Sequence, residues 1–378
     1  LMGDSDGQPK SPDWAAPICG LAAADIRALA RRMAGTRTFI TVAWSLQRAE
    51  HGEQPYWMSA VLAAMLGQIG LPGGGVGYGY GAIGGVGKSL IGMRGVTFGQ
   101  GENPVKRVIP VARIADMLRN PGQPFDFNGR REPYPDIRLI YWAGGNPFQH
   151  HLDLNALHEA WQAPETIIVN EPWWTATAKR ADIVFPATTP YEREDIGRSP
   201  LDDYLFFMPR LVPPVGEARD DFAIFSGLAE RLGVDDDYTG GRSASEWLPA
   251  LYEDYRRTAA EQGVEVPDFE GLKERNWVRL PIRAEGPNQR LFAPFRADPE
   301  AAPLGTPSGR IEIFSEVIDG FGYDDCPGHP VWLPPQEWLG AAGAEAPLHL
   351  VSPQPGDKLH SQLESALADV PGARPVRV

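Results

Sequence analysis

The densest group of hydrogen-bonding side chains lies in Trp44-Ser-Leu-Gln-Arg-Ala-Glu-His-Gly-Glu-Gln54, where Gln47, Arg48, Glu50, His51, Glu53 and Gln54 fall within eight positions. Residues 38–44 before it read as a strand, and residues 54–67 read as a helix from their apolar spacing. Open α/β sheets hold ligands at loops that follow the carboxyl ends of strands. The set is therefore a candidate site, with helix capping and solvation as the alternative for any one member, Glu50 above all. A second group, Ala143-Gly-Gly-Asn-Pro-Phe-Gln-His-His151, follows the strand-like Ile137-Arg-Leu-Ile-Tyr-Trp142. Gly144 and Gly145 let backbone N–H groups approach a ligand, and the next helix offers its positive end to an anion such as pyrophosphate. Asn146 can both donate to and accept from a heterocycle edge. His150 and His151 suit hydrogen bonds to a cofactor better than a metal, because adjacent side chains diverge and no acidic or cysteine partner stands at a fitting spacing. Asn170 ends the next strand-like run, where dinucleotide sites read a ribose or base. Thr175, Thr177 and Asp182 extend that group, the alternative being a capping Thr175 and a solvated Asp182.

These residues need a scaffold. Residues 21–33 have helical spacing with a stop at Gly35, residues 111–118 suggest a short helix, and residues 152–161 a longer one. Strand-like runs at 137–142, 166–170 and 182–186 alternate with helices, which predicts a doubly wound parallel sheet. Residues 190–214 read as irregular, 218–232 and 244–262 as amphipathic helices, 309–314 as an alternating strand, and 327–347 as a proline-rich linker before a strand-like 348–352. Between Gly70 and Gly101 there are 14 glycines in 32 residues. The interleaved Tyr78, Tyr80, Ile83, Leu90 and Phe98 favour a close-packed lining over a polar linker.

Composition removes several classes. The net charge of −14 in 378 residues argues against a nucleic-acid binder. Cys19 and Cys326 form no Cys-x-x-Cys, so this chain alone builds neither a zinc ribbon nor an iron–sulfur cluster. No apolar run is long enough to span a membrane, and no Gly-x-Ser-x-Gly elbow supports a hydrolase. Ala82-Ile-Gly-Gly-Val-Gly-Lys-Ser89 fits a relaxed phosphate loop. No strand leads into it, however, and Gly92 and Gly95 break any following helix. A P-loop-like, nucleotide-dependent α/β enzyme is the alternative reading.

Taken together, the motifs resemble the DMSO reductase family of molybdopterin oxidoreductases, in the branch of trimethylamine N-oxide and biotin sulfoxide reductases. The resemblance rests on Trp44-Ser-Leu-Gln-Arg-x-x-His-Gly-Glu-Gln54, Leu66-Gly-Gln-Ile-Gly-Leu-Pro-Gly-Gly-Gly75, Ala143-Gly-Gly-Asn-Pro147 with His150-His151, and Thr175-Ala-Thr-Ala-x-x-Ala-Asp-Ile-Val-x-Pro186. Further on it includes Pro307-Ser-Gly-Arg-Ile-Glu-Ile313, Tyr323-Asp-Asp-Cys-Pro-Gly-His-Pro330 and Leu359-His-Ser-Gln362. It implies two molybdopterin guanine dinucleotides holding one molybdenum, oxygen-atom removal from an S-oxide or N-oxide, and an electron donor protein or reductant. By matching positions, Trp44 and Arg48 face the substrate, and His51 and Gln54 contact pterin or its phosphates. Gly144, Gly145, Asn146, His150 and His151 line one dinucleotide, Asn170, Thr175 and Asp182 lie towards its guanosine end, and His360, Ser361 and Gln362 touch a pterin. The implied division is a Rossmann-like α/β domain over residues 1–190, part of a second α/β domain over 191–335, a linker over 336–347, and the start of a β-barrel over 348–378. A serine ligand to molybdenum is implied upstream, without a counterpart in residues 1–35. The chain thus reads as the central part of a longer polypeptide, inactive alone, from either the bacterial periplasm or the cytoplasm.

Overall fold

The computed structural model describes residues 2–4, 6–78, 95–198, 203–281 and 291–351. His360, Ser361, Gln362, Lys88 and Ser89 lie outside them. In chain order the described helices and strands begin with α1 (Pro12–Cys19), α2 (Ala23–Gly35), β1 (Phe39–Ile40), α3 (Glu53–Met65) and β2 (Gly75–Val76). There follow α4 (Ile114–Arg119), β3 (Pro124–Phe127), β4 (Arg130–Pro133), β5 (Leu139–Ala143), α5 (Pro147–His150), α6 (Leu154–Ala160), β6 (Thr166–Glu171) and β7 (Ile183–Pro186). The remainder are β8 (Asp195–Gly197), β9 (Tyr204–Met208), α7 (Asp221–Leu232), α8 (Asp235–Thr239), α9 (Ala244–Glu261), α10 (Phe269–Arg275), β10 (Trp277–Arg279), α11 (Ala293–Ala297) and α12 (Glu316–Asp319). The chain divides into two compact units, one within Leu1–Leu90, Asn128–Arg130 and Ile282–Val351, the other within Ile91–Phe127, Arg131–Pro281 and Ser352–Val378.

In the first unit, β1 and β2 pair in parallel over two residues each. The strand expected over 38–44 is therefore short. Its partner runs out, and the chain turns into a single 3-10 turn, Trp44–Arg48. Gln68 pins the start of β1: its Oε1 accepts from Thr38 N at 2.7 Å and its Nε2 donates to Thr36 O at 2.8 Å. The Arg296 guanidinium holds the turn after α3 by donating to the carbonyls of Gly67 and Ile69. The strand expected over 309–314 does not form. Thr306 Oγ1 donates to Arg310 O, and Ser308 N donates to Glu312 Oε1 at 2.8 Å, so local side-chain bonds fold the segment on itself. Residues 348–351 likewise form no strand and leave Leu348 and Leu350 exposed, so the expected opening of a barrel is not seen among the described residues.

The second unit holds two cores. β5, β6 and β7 form a parallel sheet in that order, with Ala143 opposite Asn170 and Asn170 opposite Phe185. Its core joins Ile167 and Val169 of β6 to Leu157 and Ala160 of α6, Trp161 and Phe148. Each fully buried aliphatic side chain there contributes about 1.5–3 kcal/mol. The second core lies between the antiparallel sheet β8-β9-β10 and helices α9 and α10, around Leu205, Phe207, Tyr252, Tyr255 and Leu272. Residues 190–214 are therefore not all irregular. Tyr204-Leu-Phe-Phe-Met208 alternates, with Leu205 and Phe207 buried and Phe206 exposed. The architecture is mixed α/β with parallel strand pairs.

Candidate cofactor site

The carboxyl edge of the parallel sheet gathers most of the second group. Gly144 and Gly145 leave β5 at φ +83° each, a left-handed conformation that suits glycine, and a Cβ on Gly144 would meet nothing within 4 Å. Asn146 is buried at the start of α5. Its Oδ1 accepts from Thr177 N at 3.1 Å and from Thr177 Oγ1. Its Nδ2 is buried with no partner among the described residues, as is the nearby indole Nε1 of Trp142. Buried donors of this kind are costly unless something accepts from them.

Asn170 and Glu171 close β6. Asn170 Oδ1 accepts from Tyr141 Oη at 2.9 Å, and its Nδ2 donates to Asp221 Oδ1 at 2.9 Å, so it ties β5 and β6 to the first turn of α7. Glu171 is half-buried; Trp173 N donates to it at 3.3 Å and Thr175 Oγ1 at 3.4 Å. Burial holds its carboxyl above the usual range, against the pull of those two hydrogen bonds. Thr175 also accepts from Ala178 N at 3.2 Å, which makes it a cap as well as a neighbour of Glu171. Past β7 the edge opens into a cleft of about 750 Å³ whose wall includes Asp220, Asp221, Phe222, Phe98, Trp247 and Arg219.

Not every expected residue joins this edge. Asp182 precedes β7 and accepts from Ile167 N at 2.8 Å, at the opposite, amino end of the strands, where it is exposed to solvent, so it does not lie beside Gly144. His151 is engaged by backbone, with Nδ1 2.7 Å from Leu152 O and Nε2 3.1 Å from Val111 O. His150 is exposed at the end of α5. Trp142, Glu171 and Asp221 were not singled out in the sequence. For Glu171 a signal existed, since it follows Asn170 at a strand end where an acid suits ribose hydroxyls.

The first group sits in the other unit. Trp44 opens the 3-10 turn and Arg48 closes it, both exposed. His51 adopts φ +55°, and its Nε2 lies 3.8 Å from Glu50 Oε1. Gly52 has no room for a side chain, because a Cβ would overlap the carbonyl oxygens of Leu46 and Ala49. Gln54 is buried: its Oε1 accepts from Val331 N at 2.9 Å and its Nε2 donates to Glu53 at 3.1 Å. Glu50 Oε2 accepts from Gln336 N at 2.8 Å. The loop is thus clamped to the segment that follows α12. Trp44 also borders a cleft of about 760 Å³. Among the described residues no cluster of three metal-ligating side chains occurs, and no helix is long and apolar enough to cross a membrane.

The carboxyl edge of this parallel sheet, with its glycines, buried amide, acid and cleft, is the kind of place at which open α/β sheets hold ligands. A family model described as molybdopterin oxidoreductase matches residues 16–231. Biotin sulfoxide reductase of Cereibacter sphaeroides is 50% identical over 375 residues, covering 99% of this chain and 50% of that protein. Dimethyl sulfoxide/trimethylamine N-oxide reductase of the same organism is 48% identical over 379 residues, covering 96% and 46%. Trimethylamine-N-oxide reductase of Haemophilus influenzae is 44% identical over 392 residues, again covering 96% and 46%. Among solved structures, acetylene hydratase from Pelobacter acetylenicus overlaps 56% of this chain and 25% of its own, with 19% identity and a TM-score of 0.38. The chain belongs to the molybdopterin oxidoreductase family, and spans about half the length of the curated relatives it matches. The alternative of a nucleotide-dependent enzyme built on Lys88 finds no support in these similarities.

The family's molybdenum–molybdopterin cofactor fits the residues present. The orphaned donors of Asn146 and Trp142 and the open space over Gly144 accommodate an acceptor-rich, phosphate-bearing group.

Proposed function

We propose that the polypeptide containing this chain removes an oxygen atom from an S-oxide or N-oxide, using molybdenum held by two molybdopterin guanine dinucleotides. The orphaned Asn146 amide beside the left-handed Gly144-Gly145 pair is the observation that carries the dinucleotide reading. On this reading the two glycines and Asn146 bind pyrophosphate and His150 adds a donor from the end of α5, while His151 orders the loop. Glu171 accepts from ribose hydroxyls. The Asp221 carboxylate, held by Asn170, accepts from the paired N–H groups of guanine in the adjoining cleft. Asp221 thereby takes the part expected of Asp182.

When bound, the molybdenum supplies the two-electron chemistry, with electrons from a donor protein or reductant. The protein binds, orients and excludes water. Arg48 presents a guanidinium to the oxide oxygen, a role in which its always-charged, multi-donor head surpasses lysine. Trp44 forms a wall of the substrate space, His51 and Gln54 contact the pterin or order the loop that does, and His360, Ser361 and Gln362 reach a pterin from a following barrel. The names of the relatives, biotin sulfoxide and trimethylamine N-oxide reductases among them, support the oxide substrate class.

The test is metal analysis together with acid release of GMP from the full polypeptide. We expect about one molybdenum and two GMP per chain. Molybdenum without GMP would refute the dinucleotide form, and absence of molybdenum would refute the oxotransferase reading.

A further inference from the structure

Charge is unevenly spread along this chain. Residues 26–49 carry Arg27, Arg31, Arg32, Arg37 and Arg48 and no acidic residue, in a chain whose net charge is −14. Local structure gathers three of these arginines at one end of α2. Thr36 Oγ1 donates to Arg32 O at 2.8 Å, and Thr38 Oγ1 donates to Met33 O at 3.0 Å. The chain leaving α2 therefore folds back on its last turn and holds Arg37 close to it. The Arg37 stem lies against Gly73 and Gly74, where a Cβ would come within 3.6 and 3.2 Å of it. Arg27 is paired with Asp13 on α1. Arg31, Arg32 and Arg37 are exposed and make no ion pair among the described residues. The negative end of the helix dipole accounts for Arg32, in the last turn, but not for Arg31 before it or Arg37 beyond it. Leu29, one turn back on α2, adds an exposed apolar side chain.

Like charges gathered without a counter-charge repel one another, and an acidic partner relieves that repulsion. We propose that the carboxyl end of α2, with Arg31, Arg32 and Arg37, is the docking surface for an acidic electron-carrier protein. Transient redox encounters use small interfaces, and charge complementarity sets their orientation and on-rate. The excess of acidic residues elsewhere repels such a carrier, so a local basic patch decides where it lands. Arg37 is followed by β1 and then by the turn Trp44–Arg48. Seven residues of chain span at most about 25 Å, which keeps the patch near the turn proposed to face the oxide. Binding of the carrier does not depend on the oxotransferase reading, but its purpose rests on it. Each S-oxide or N-oxide takes up two electrons and two protons and leaves as thioether or amine plus water. Two carriers, each oxidised by one electron, supply the electrons, and solvent supplies the protons.

The probe is flavodoxin, a small acidic flavoprotein, fluorescently labelled and titrated in its oxidised form into the full polypeptide by anisotropy. Arg31→Glu with Arg32→Glu should weaken binding at least about tenfold at low salt. The difference should all but vanish near 1 M salt, where screening acts within about 3 Å. Arg256→Glu with Arg257→Glu, on the exposed face of α9, serves as the control and should change binding far less. Should the double reversal fold poorly, Arg31→Gln with Arg32→Gln removes the charges without reversing them and should weaken binding about threefold. Wild-type binding that is absent or indifferent to salt, or variants that bind as the wild type does, overturns the proposal. Loss of binding to phosphatidylglycerol vesicles in the α2 variant, with flavodoxin binding unchanged, assigns the patch to a membrane surface and overturns it equally. A turnover arm separates this inference from the proposed function. With reduced flavodoxin as donor, KM for flavodoxin should rise about tenfold in the α2 variant while kcat holds. With reduced methyl viologen, a small cationic dye, turnover should match the wild type. Oxide reduction that ignores the variant with both donors refutes the docking surface alone. Arginine-dependent flavodoxin binding without oxide reduction from either donor refutes the proposed function and leaves the docking surface standing.

Discussion

Asn146 performs two tasks that substitution can separate. Its Oδ1 holds Thr177, and its Nδ2 waits for an acceptor. Asn146→Ala leaves the buried Thr177 N–H without its acceptor and should cost about 1–3 kcal/mol, read as a lower Tm. Asn146→Asp keeps that acceptor but turns the waiting donor into a carboxylate oxygen facing phosphate. It should hold its Tm within a few degrees and lose GMP-bearing cofactor at least about tenfold. Normal cofactor content in Asn146→Asp would show that the amide does not face the ligand. Glu171 yields a pH signature. Its folded carboxyl lies above the usual range because of burial, so the folded state binds more protons than the unfolded state and stability falls as pH rises through that interval. In the cofactor-free protein, Glu171→Gln should therefore melt higher than wild type at pH 8, with the gap closing below the ordinary carboxylate range. A constant gap across pH would mean the gain is packing and not charge. The glycine pair and Asn146 were legible from residue type alone. Glu171 carried a signal in its place after Asn170 at a strand end, whereas Asp221 carried none, since its meaning comes from a helix start that meets that strand end only in three dimensions.

Elements were legible where apolar period and caps agreed. α2, α3, α6, α7 and α9 lie within a few residues of their expected spans, and the three parallel strands emerged from Ile-Val runs. The failures have specific causes. Residues 309–314 alternate as a strand should, but have no ladder partner and bond locally instead. β9 was hidden among prolines and became a strand because β8 and β10 flank it. Parallel and antiparallel pairing is non-local, so alternation states only that a segment can pair. α7 shows how an element serves the site. Asp220 caps it by accepting from Ala223 N at 2.8 Å, and the same first turn places Asp221 against Asn170. Asp220→Ala should cost about 1 kcal/mol in thermal unfolding. It should also weaken binding of guanosine diphosphate, a soluble probe for the adjoining cleft. Lost stability with unchanged nucleotide binding would separate the cap from the site.

At the scale of the whole chain, a net charge of −14 must admit an anionic ligand. Steering by the whole field opposes entry, and local groups must reverse it. Among the described residues that line the cleft beside α7, the cations are Arg193, Arg210 and Arg219. Arg193 is committed, at 3.3 Å from Asp195 and donating to Thr188 O at 2.9 Å. Arg210 and Arg219 have exposed guanidinium groups with no partner among the described residues, which leaves them available to a phosphate or a purine face. The two influences differ in range. Raising ionic strength from about 0.01 M to 0.1 M shortens screening from about 30 Å to about 10 Å, which removes most of the distant repulsion while contact-distance attraction survives. Stopped-flow association of a fluorescent guanosine diphosphate with the 378-residue chain should therefore accelerate over that range, while dissociation quickens only modestly. Arg219→Gln should slow association at the higher salt, where local attraction dominates, more than at the lower. A rate that falls with salt in the wild type would mean that the arginines already control the approach, and that the acidic surface is held too far from the cleft to be felt there.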